Sequence, residues 1–497
     1  MKTLRLIAIA GIVAMMAISC QEKPADQEKQ GPAELVSFGF YQEDNAEIID
    51  RDYVASIISQ ETVIRIPDGG AGKTLVARIE VGENDEAVVN GEPITDGKAT
   101  VDAAYPIDII VTDSASGLSS AYVVKVGKIL GAEMVYLATY TESGAELDGD
   151  FHMRVNPVDG LPYIVYVRNL PNEENQASMV RWNGSAFEAV GQLGFTGGAT
   201  AEEIRLPMVA FDSEGTPYIS CRDSNNPDKE VSVYKYSGSW TKLGNTDEEC
   251  SSSYEPLIFV NPANDYPVVC YQGRNVHKAY MVSSAYDGSS MSPVSKVNPT
   301  TNNYCRSRSV TVGNVVYVLS IFSNGGYWLY KYENNTWTPV IENYHQTNTH
   351  FINVAIDADS QGNVYALFAD NYAGGDYVVQ VYQVDFEKST FVPIGNQLTS
   401  IGASDKYAMF DFAINPVTGQ MVAIYRDAEF ETTGIHFGYV ESDTGLWSDF
   451  TKIGTSATER CYPYIDYAPN GDGYAVVSSE NGLDLYKIQT EEDILPE

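Results

Sequence analysis

The chain has 497 residues, with 67 acidic and 31 basic side chains and a formal net charge of −36. Such an excess of negative charge repels nucleic acid and anionic lipid headgroups, so neither is an expected partner. Six cysteines are scattered without a CxxC spacing, which argues against both a disulfide framework and a zinc site.

In chain order, the first element is an export signal over residues 1–19. Met1-Lys2-Thr3-Leu4-Arg5 supplies a short basic start, and an apolar run extends from Leu6 to Ile18. That run is too short to span a bilayer, which takes about 20 apolar residues. It ends in Ala17-Ile18-Ser19-Cys20, which resembles the bacterial lipobox. Ala17 stands where that family usually has leucine. The resemblance implies that Cys20 is lipidated and becomes the mature N-terminus. Loss of Lys2 and Arg5 with the signal makes the mature charge −36 − 2 = −38. Residues 20–34, polar and rich in Gln, Glu and Lys from Gln21 to Pro32, read as a disordered tether.

Residues 35–128 carry short β-branched runs: Thr62 to Ile66, Leu75 to Val81, Ile107 to Val111 and Tyr122 to Val126. Val88-Val89-Asn90-Gly91 marks a turn at a strand end. This pattern predicts a small Ig-like β-sandwich. It resembles the sandwich modules that follow the lipid anchor in Bacteroidetes surface lipoproteins. Gly69-Gly70-Ala71-Gly72-Lys73-Thr74 imitates a phosphate-binding loop, but Pro67 occupies the first glycine position and a strand pattern follows instead of a helix. A glycine-rich hairpin loop is expected there.

Residues 131–490 repeat one pattern: an apolar strand, a turn with Asp or Asn and Gly, and a second apolar strand. Copies begin at Arg154, Val209, Phe259, Val310, Ala355, Ala413 and Ile465. In six of them a fourth strand is expected to start at Phe187, Trp240, Met291, Trp337, Phe391 or Trp447. Four strands repeating every 40–50 residues or so predict a β-propeller, here with seven blades. The last copy lacks its outer strand, and Met134 to Tyr140 can supply it, closing the ring without a free edge. Gly215-Thr216-Pro217-Tyr218-Ile219-Ser220 resembles the blades of bacterial propellers. That resemblance is specific for fold and nearly silent on function.

The predicted working face gathers residues before strand one and after strand two. The first set includes His152, Arg154, Arg205, Glu255, Arg306, Arg308, His350, Tyr407 and Arg460. The second includes Arg168, Arg222, Asp223, Arg274, Asp370, Arg426 and Glu480. Guanidinium forks suit carboxylates, hence acidic sugars. Arg205, Arg306 and Arg460 resemble the three arginines that hold a sugar carboxylate in propeller sialidases. The Ser-x-Asp-x-Gly-x-x-Trp turns of that family are absent, and no Tyr–Glu nucleophile pair can be assigned. Arg168, Arg222 and Arg426 recur at one blade position, as repeat hydrogen bonding would require. Arg205, Arg306, Arg308 and Arg460 are therefore the candidate ligand-binding arginines, with Tyr254, Tyr304, Tyr407 and Tyr462 as stacking platforms.

Asp357-Ala358-Asp359-Ser360-Gln361-Gly362 opens like a calcium loop, yet Phe368 stands at its twelfth position, so no metal is expected. No cofactor is expected either, and no catalytic set is recognisable. The first expectation is thus a monomeric, non-catalytic, lipid-anchored protein at the outer-membrane surface, binding a glycan or a surface protein through the propeller face. The alternatives are a hydrolase or lyase acting on acidic saccharides, and a scaffold subunit of an outer-membrane assembly.

Overall fold

The computed structural model describes residues 33–49, 52–55, 57, 59–66, 72–128, 131–170, 175–197, 204–223, 229–250, 255–298, 304–322, 326–344, 353–370, 377–401, 409–426, 434–441, 445–455 and 462–490. The regular structure of these residues is almost all β, with one four-residue helix, Gln42–Asn45, among them. No helix in them is long and apolar enough to cross a membrane. The chain divides into two compact units, the first running to Gly127 and the second from Lys128 to Ile494.

The first unit holds two sheets. One is ordered Tyr53–Val54, Leu35–Phe40, Thr74–Val81, Lys98–Asp102, and the other Glu61–Ile66, Ser119–Lys128, Ile107–Asp113, Asp85–Val89, Glu92–Pro93. Period-2 burial explains both. Leu75, Ala77 and Ile79 are buried while Val76, Arg78 and Glu80 face outward, and Ile107, Ile109 and Val111 are fully buried. Asn90 and Gly91 take φ of 50° and 87°, the left-handed pair of a tight hairpin joining Val89 to Glu92. Residues 67–71 of the glycine-rich loop lie outside the described residues, and Thr74 opens a strand, so the helix a phosphate site needs is missing.

The second unit holds seven sheets among the described residues. Sheet one comprises Glu146–Val155, Pro162–Asn169, Gln176–Trp182 and Phe187–Ala189. Sheet two comprises Ile204–Phe211, Pro217–Asp223, Val231–Tyr236 and Trp240–Asn245. The first strands of sheets three to seven are Leu257–Asn261, Tyr304–Val312, Val354–Ala358, Met409–Ile414 and Tyr464–Tyr467. Each first strand contacts that of the next sheet, and the first strand of sheet seven contacts that of sheet one. Sheet seven is completed by Ala132–Tyr140, which pairs antiparallel with Gly482–Thr490, so both ends of the second unit meet in one sheet.

The seams between sheets are apolar. Phe368 is fully buried and stacks on Tyr327 of sheet four at 4.1 Å and on Tyr382 of its own sheet at 4.2 Å. Phe151 of sheet one meets Tyr464 of sheet seven edge-on at 5.5 Å. The turns also interlock. The side chain of Asn156 accepts from the Val158 amide of its own turn and donates to the Gly215 carbonyl one sheet on, and Asn415 does the same with Val417 and Gly471. Gly215, at φ 78°, approaches so closely that an added Cβ would lie 2.7 Å from the Asn156 Oδ1.

Two expected strand starts are corrected. Met291 and Trp447 form isolated bridges with Tyr286 and Val440, and the ordered outer strands begin later, at Ser295 and Thr451. The large side chains there pack inward against the apolar seams, and the ladder resumes a few residues on.

Candidate functional site

The first strand of each sheet has a ladder partner on one side only. Its other backbone groups face the axis, where leaving them unpaired would cost free energy. Side chains meet part of that need. The Asp357 Oδ2 accepts from the Ile414 amide at 2.7 Å, the Asp411 Oδ2 from Ile465 at 3.1 Å, and the Asp466 Oδ2 from Val155 at 2.8 Å. The other oxygen of each accepts from the next amide of its own strand, at 2.8 to 3.1 Å. The His152 Nδ1 accepts from Val209 at 3.2 Å, so the neutral ring carries its proton on Nε2. These four latches join sheets five, six, seven, one and two.

Burial sets their protonation. It pushes Asp357 and Asp411 up to about 7 against the pull of their backbone hydrogen bonds, and for Asp411 also against the charge of Arg308. Burial likewise raises Asp466, with the charge of Arg154 opposing. It drives His152 well below its ordinary value, and the charges of Arg308 and Arg154 push the same way.

At one end of this column Arg306 of sheet four crosses the axis. Its Nε donates to the Glu255 Oε2 at 3.0 Å, just before the first strand of sheet three. One terminal nitrogen meets the Met409 sulfur of sheet six at 3.7 Å. The other donates to the Tyr462 hydroxyl, just before the first strand of sheet seven, and the guanidinium lies over the Tyr462 ring at 4.4 Å. Arg306 and Glu255 are each 5% exposed. Burial opposes ionisation of Glu255, but the adjacent charges of Arg306 and Arg308 outweigh it and hold its carboxyl below the usual range. Arg308, also buried, extends over the Tyr464 ring at 5.7 Å.

Beyond this layer lies an axial cavity of about 390 Å³, lined by residues from the first strands of all seven sheets. Arg308, His152, Asp411 and Tyr464 line it, as do the turn prolines Pro157, Pro416 and Pro469. Arg154 also lines it. Its Nε reaches the Asp466 Oδ2 at 3.1 Å, and its side chain is 46% exposed against 16% for Asp466. A guanidinium that is half exposed yet inside a concave wall can take a further partner; one buried between Glu255 and Tyr462 cannot without rearrangement.

The predicted site residues therefore separate. Arg306, Arg308 and Tyr462 come together, though not in loops: both arginines lie within the first strand of sheet four, which continues past a register shift between Tyr304 and Arg306. Arg205 lies likewise inside the first strand of sheet two, beside a shift before Met208. Its Nε is 3.7 Å from the Asp150 Oδ2 on the seam with sheet one, so it does not join Arg306 in a carboxylate triad. The strands run further than expected because a bulge admits an extra polar residue without ending the ladder. For Tyr304 only the backbone is described. Cys20, Tyr254, Tyr407 and Arg460 lie outside the described residues. Of the recurring arginines, Arg222 donates to the Cys250 carbonyl at 3.3 Å and Arg168 pairs with Glu142 at 2.7 Å, both inside the fold's own bonding.

Sequence reading placed Arg154 and Glu255 among the face residues without singling them out, and it missed the three aspartates. A signal was present. Two residues before the turn position, where sheets two, three and six carry Ala210, Phe259 and Ala413, sheets one, five and seven carry Arg154, Asp357 and Asp466. Charges aligned with apolar positions of a repeat mark where it faces something other than core.

No protein-family model matches this chain, and no curated protein matches it. Among solved structures it is similar to a protein of unknown function from Dyadobacter fermentans, at 10% identity and a TM-score of 0.42, over 72% of this chain and 99% of that one. It is similar to a polysaccharide lyase acting on ulvan, at 11% identity and a TM-score of 0.42, over 73% and 98%. A fucose-specific lectin from Aleuria aurantia follows, at 10% identity and a TM-score of 0.39, over 72% and 98%. With TM-scores below 0.5, these likenesses assign this chain no activity.

Proposed function

We propose that the second unit is a seven-bladed β-propeller closed by Ala132–Tyr140, that the first is an Ig-like sandwich, and that the chain binds a glycan without cleaving it. The observation that carries the reading is the axial cavity, whose volume falls within the range of about 300–1,000 Å³ typical of ligand pockets. Its polar lining mixes a half-exposed guanidinium with carboxyl groups, set among apolar side chains such as Val209, Phe259, Ile356 and Phe412. Such walls suit a hydroxyl-rich ring with an apolar face. The aspartates around it already accept two backbone amides each. That occupation favours a structural role for them over proton transfer to a substrate.

In this proposal Cys20 carries the lipid and places the propeller at the outer-membrane surface. Palmitate labelling of the expressed chain should be lost in Cys20→Ala; label retained in that variant would end the anchoring reading. The glycan reading is tested by screening the full chain on a glycan array and assaying the hits for product release. Binding without product supports it, and an array with no hits refutes it.

A second reading, a glycan-cleaving enzyme, is favoured by one observation: an ionised buried Glu255 linked through Arg306 to the Tyr462 hydroxyl. It requires product release that falls at least a hundredfold, the usual scale for losing one acid–base group, in Glu255→Gln.

A further inference from the structure

Resting on the glycan reading, we propose that the axial cavity is a carboxylate site, in which the Arg154 fork takes the acid group of a uronate or another acidic saccharide.

Three observations carry this. The first is placement. Arg154 occupies a position at which sheets two, three and six present Ala210, Phe259 and Ala413 and sheets five and seven present Asp357 and Asp466, so among these it supplies the positive charge on the axis. The second is availability. Arg154 engages Asp466 through Nε, and with 46% of its side chain exposed inside a walled cavity its terminal nitrogens have room for a planar, two-oxygen partner. The third is the commitment of the surrounding acids. Both oxygens of Asp357, Asp411 and Asp466 hold backbone amides, which orients them for latching strands and ill suits them to enclosing a cation. A cluster of metal-holding groups is absent among the described residues.

The same acids make the site proton-linked. The charged and titratable groups around it are Arg154 and His152 from sheet one, Arg308 from sheet four, Asp357 from sheet five, Asp411 from sheet six, and Tyr464, Asp466 and Tyr467 from sheet seven. His152 stays neutral and the tyrosines keep their protons near neutrality, so the aspartates are the groups that change. Burial raises all three. Protonation of Asp357 and Asp411 as the pH falls through about 7 removes negative charge facing the ligand. A uronate, with an ordinary carboxyl value below about 4, remains an anion through this range.

Calorimetric titration of the full chain with glucuronate, and with glucose as the neutral comparison, tests the proposal. Glucuronate should bind, and glucose at least about tenfold more weakly, since one lost charge-assisted contact is worth that much. The glucuronate Kd should fall about tenfold from roughly pH 8 to pH 5.5, as when binding shifts one linked carboxyl by a unit. Arg154→Ala should lose at least tenfold, with its melting temperature unchanged. Asp466→Asn should tighten binding at about pH 8, and Asp357→Asn, which removes a carboxyl held at about 7, should flatten the pH profile; Asp411→Asn gives the same readout if that variant does not fold. Equal binding of the two sugars, or an Arg154→Ala variant that binds like the parent, overturns the site. A chain that binds array polysaccharides independently of Arg154 refutes the site and leaves the glycan reading standing. One that binds glucuronate through Arg154 but no polysaccharide does the reverse.

Discussion

Arg306 and Arg154 belong to the same axial column and behave as opposites. Arg306 is 5% exposed and meets partners from three other sheets; Arg154 is half exposed with Asp466 at its Nε. A guanidinium buried among a carboxylate, a thioether and a phenol is a strut, because removing it strands the charge it neutralises. One that faces a cavity costs the fold little and is available for recognition. Residue type alone does not distinguish them; burial and partner count do.

The comparison breaks most visibly at Arg306. Arg306→Ala leaves Glu255 buried without its hydrogen-bonded cation, with only the charge of Arg308 nearby, and should destabilise the second unit by up to about 3–5 kcal/mol, read by thermal or urea unfolding. Adding Glu255→Gln should recover part of that loss. A destabilisation under about 1 kcal/mol would show that Arg306 is no strut.

The next largest effect separates the two carboxylate environments by pH, with opposite signs. Asp357 and Asp411 have folded values raised to about 7 from 3.8. The folded state keeps their protons where the unfolded state has released them. Their contribution is therefore complete below about 4 and is lost as the pH rises through 7. Glu255 is lowered from 4.5, so its contribution is present above that value and is lost as the pH falls through the folded one. Melting temperatures across pH should pass through a maximum between these windows. Asp357→Asn and Asp411→Asn should flatten the alkaline side alone, and Glu255→Gln the acidic side alone. A flat profile in the parent chain would remove the distinction.

A smaller effect is expected at the latch geometry. In Asp411→Asn one of the two accepted amide bonds is replaced by a donor facing a donor, at a cost of about 1–3 kcal/mol. Hydrogen exchange should report this as local loss of protection at Ile465. The smallest effect belongs to Arg154→Ala, expected to change stability by less than about 0.5 kcal/mol because the pair with Asp466 is partly solvated. A loss there as large as at Arg306 would make both arginines structural.

Much of the strand order was legible in the residues. Thr74 to Val81 and Ile107 to Asp113 show their buried faces as simple alternation, and Asn90-Gly91 announces its hairpin. The turn copies from Asn156 to Asn415 were legible for the same reason: the side chain bonds its own turn, so the signal lies within a few residues. The axial site was legible in part. That Arg306 breaks the repeat could be read directly, but its partners Glu255, Met409 and Tyr462 lie 51, 103 and 156 residues away.

What the chain determined by itself is therefore local: strand, turn, strand, repeated until the apolar faces can pack on one another. Which arginine is buried, which faces a cavity, and which aspartates hold protons near neutrality were decided only when the first strands of seven sheets came together. Burial and the number of partners are properties of that assembly. They set the electrostatics of Arg306, Arg154 and the latching aspartates, and no spacing along the chain encodes them.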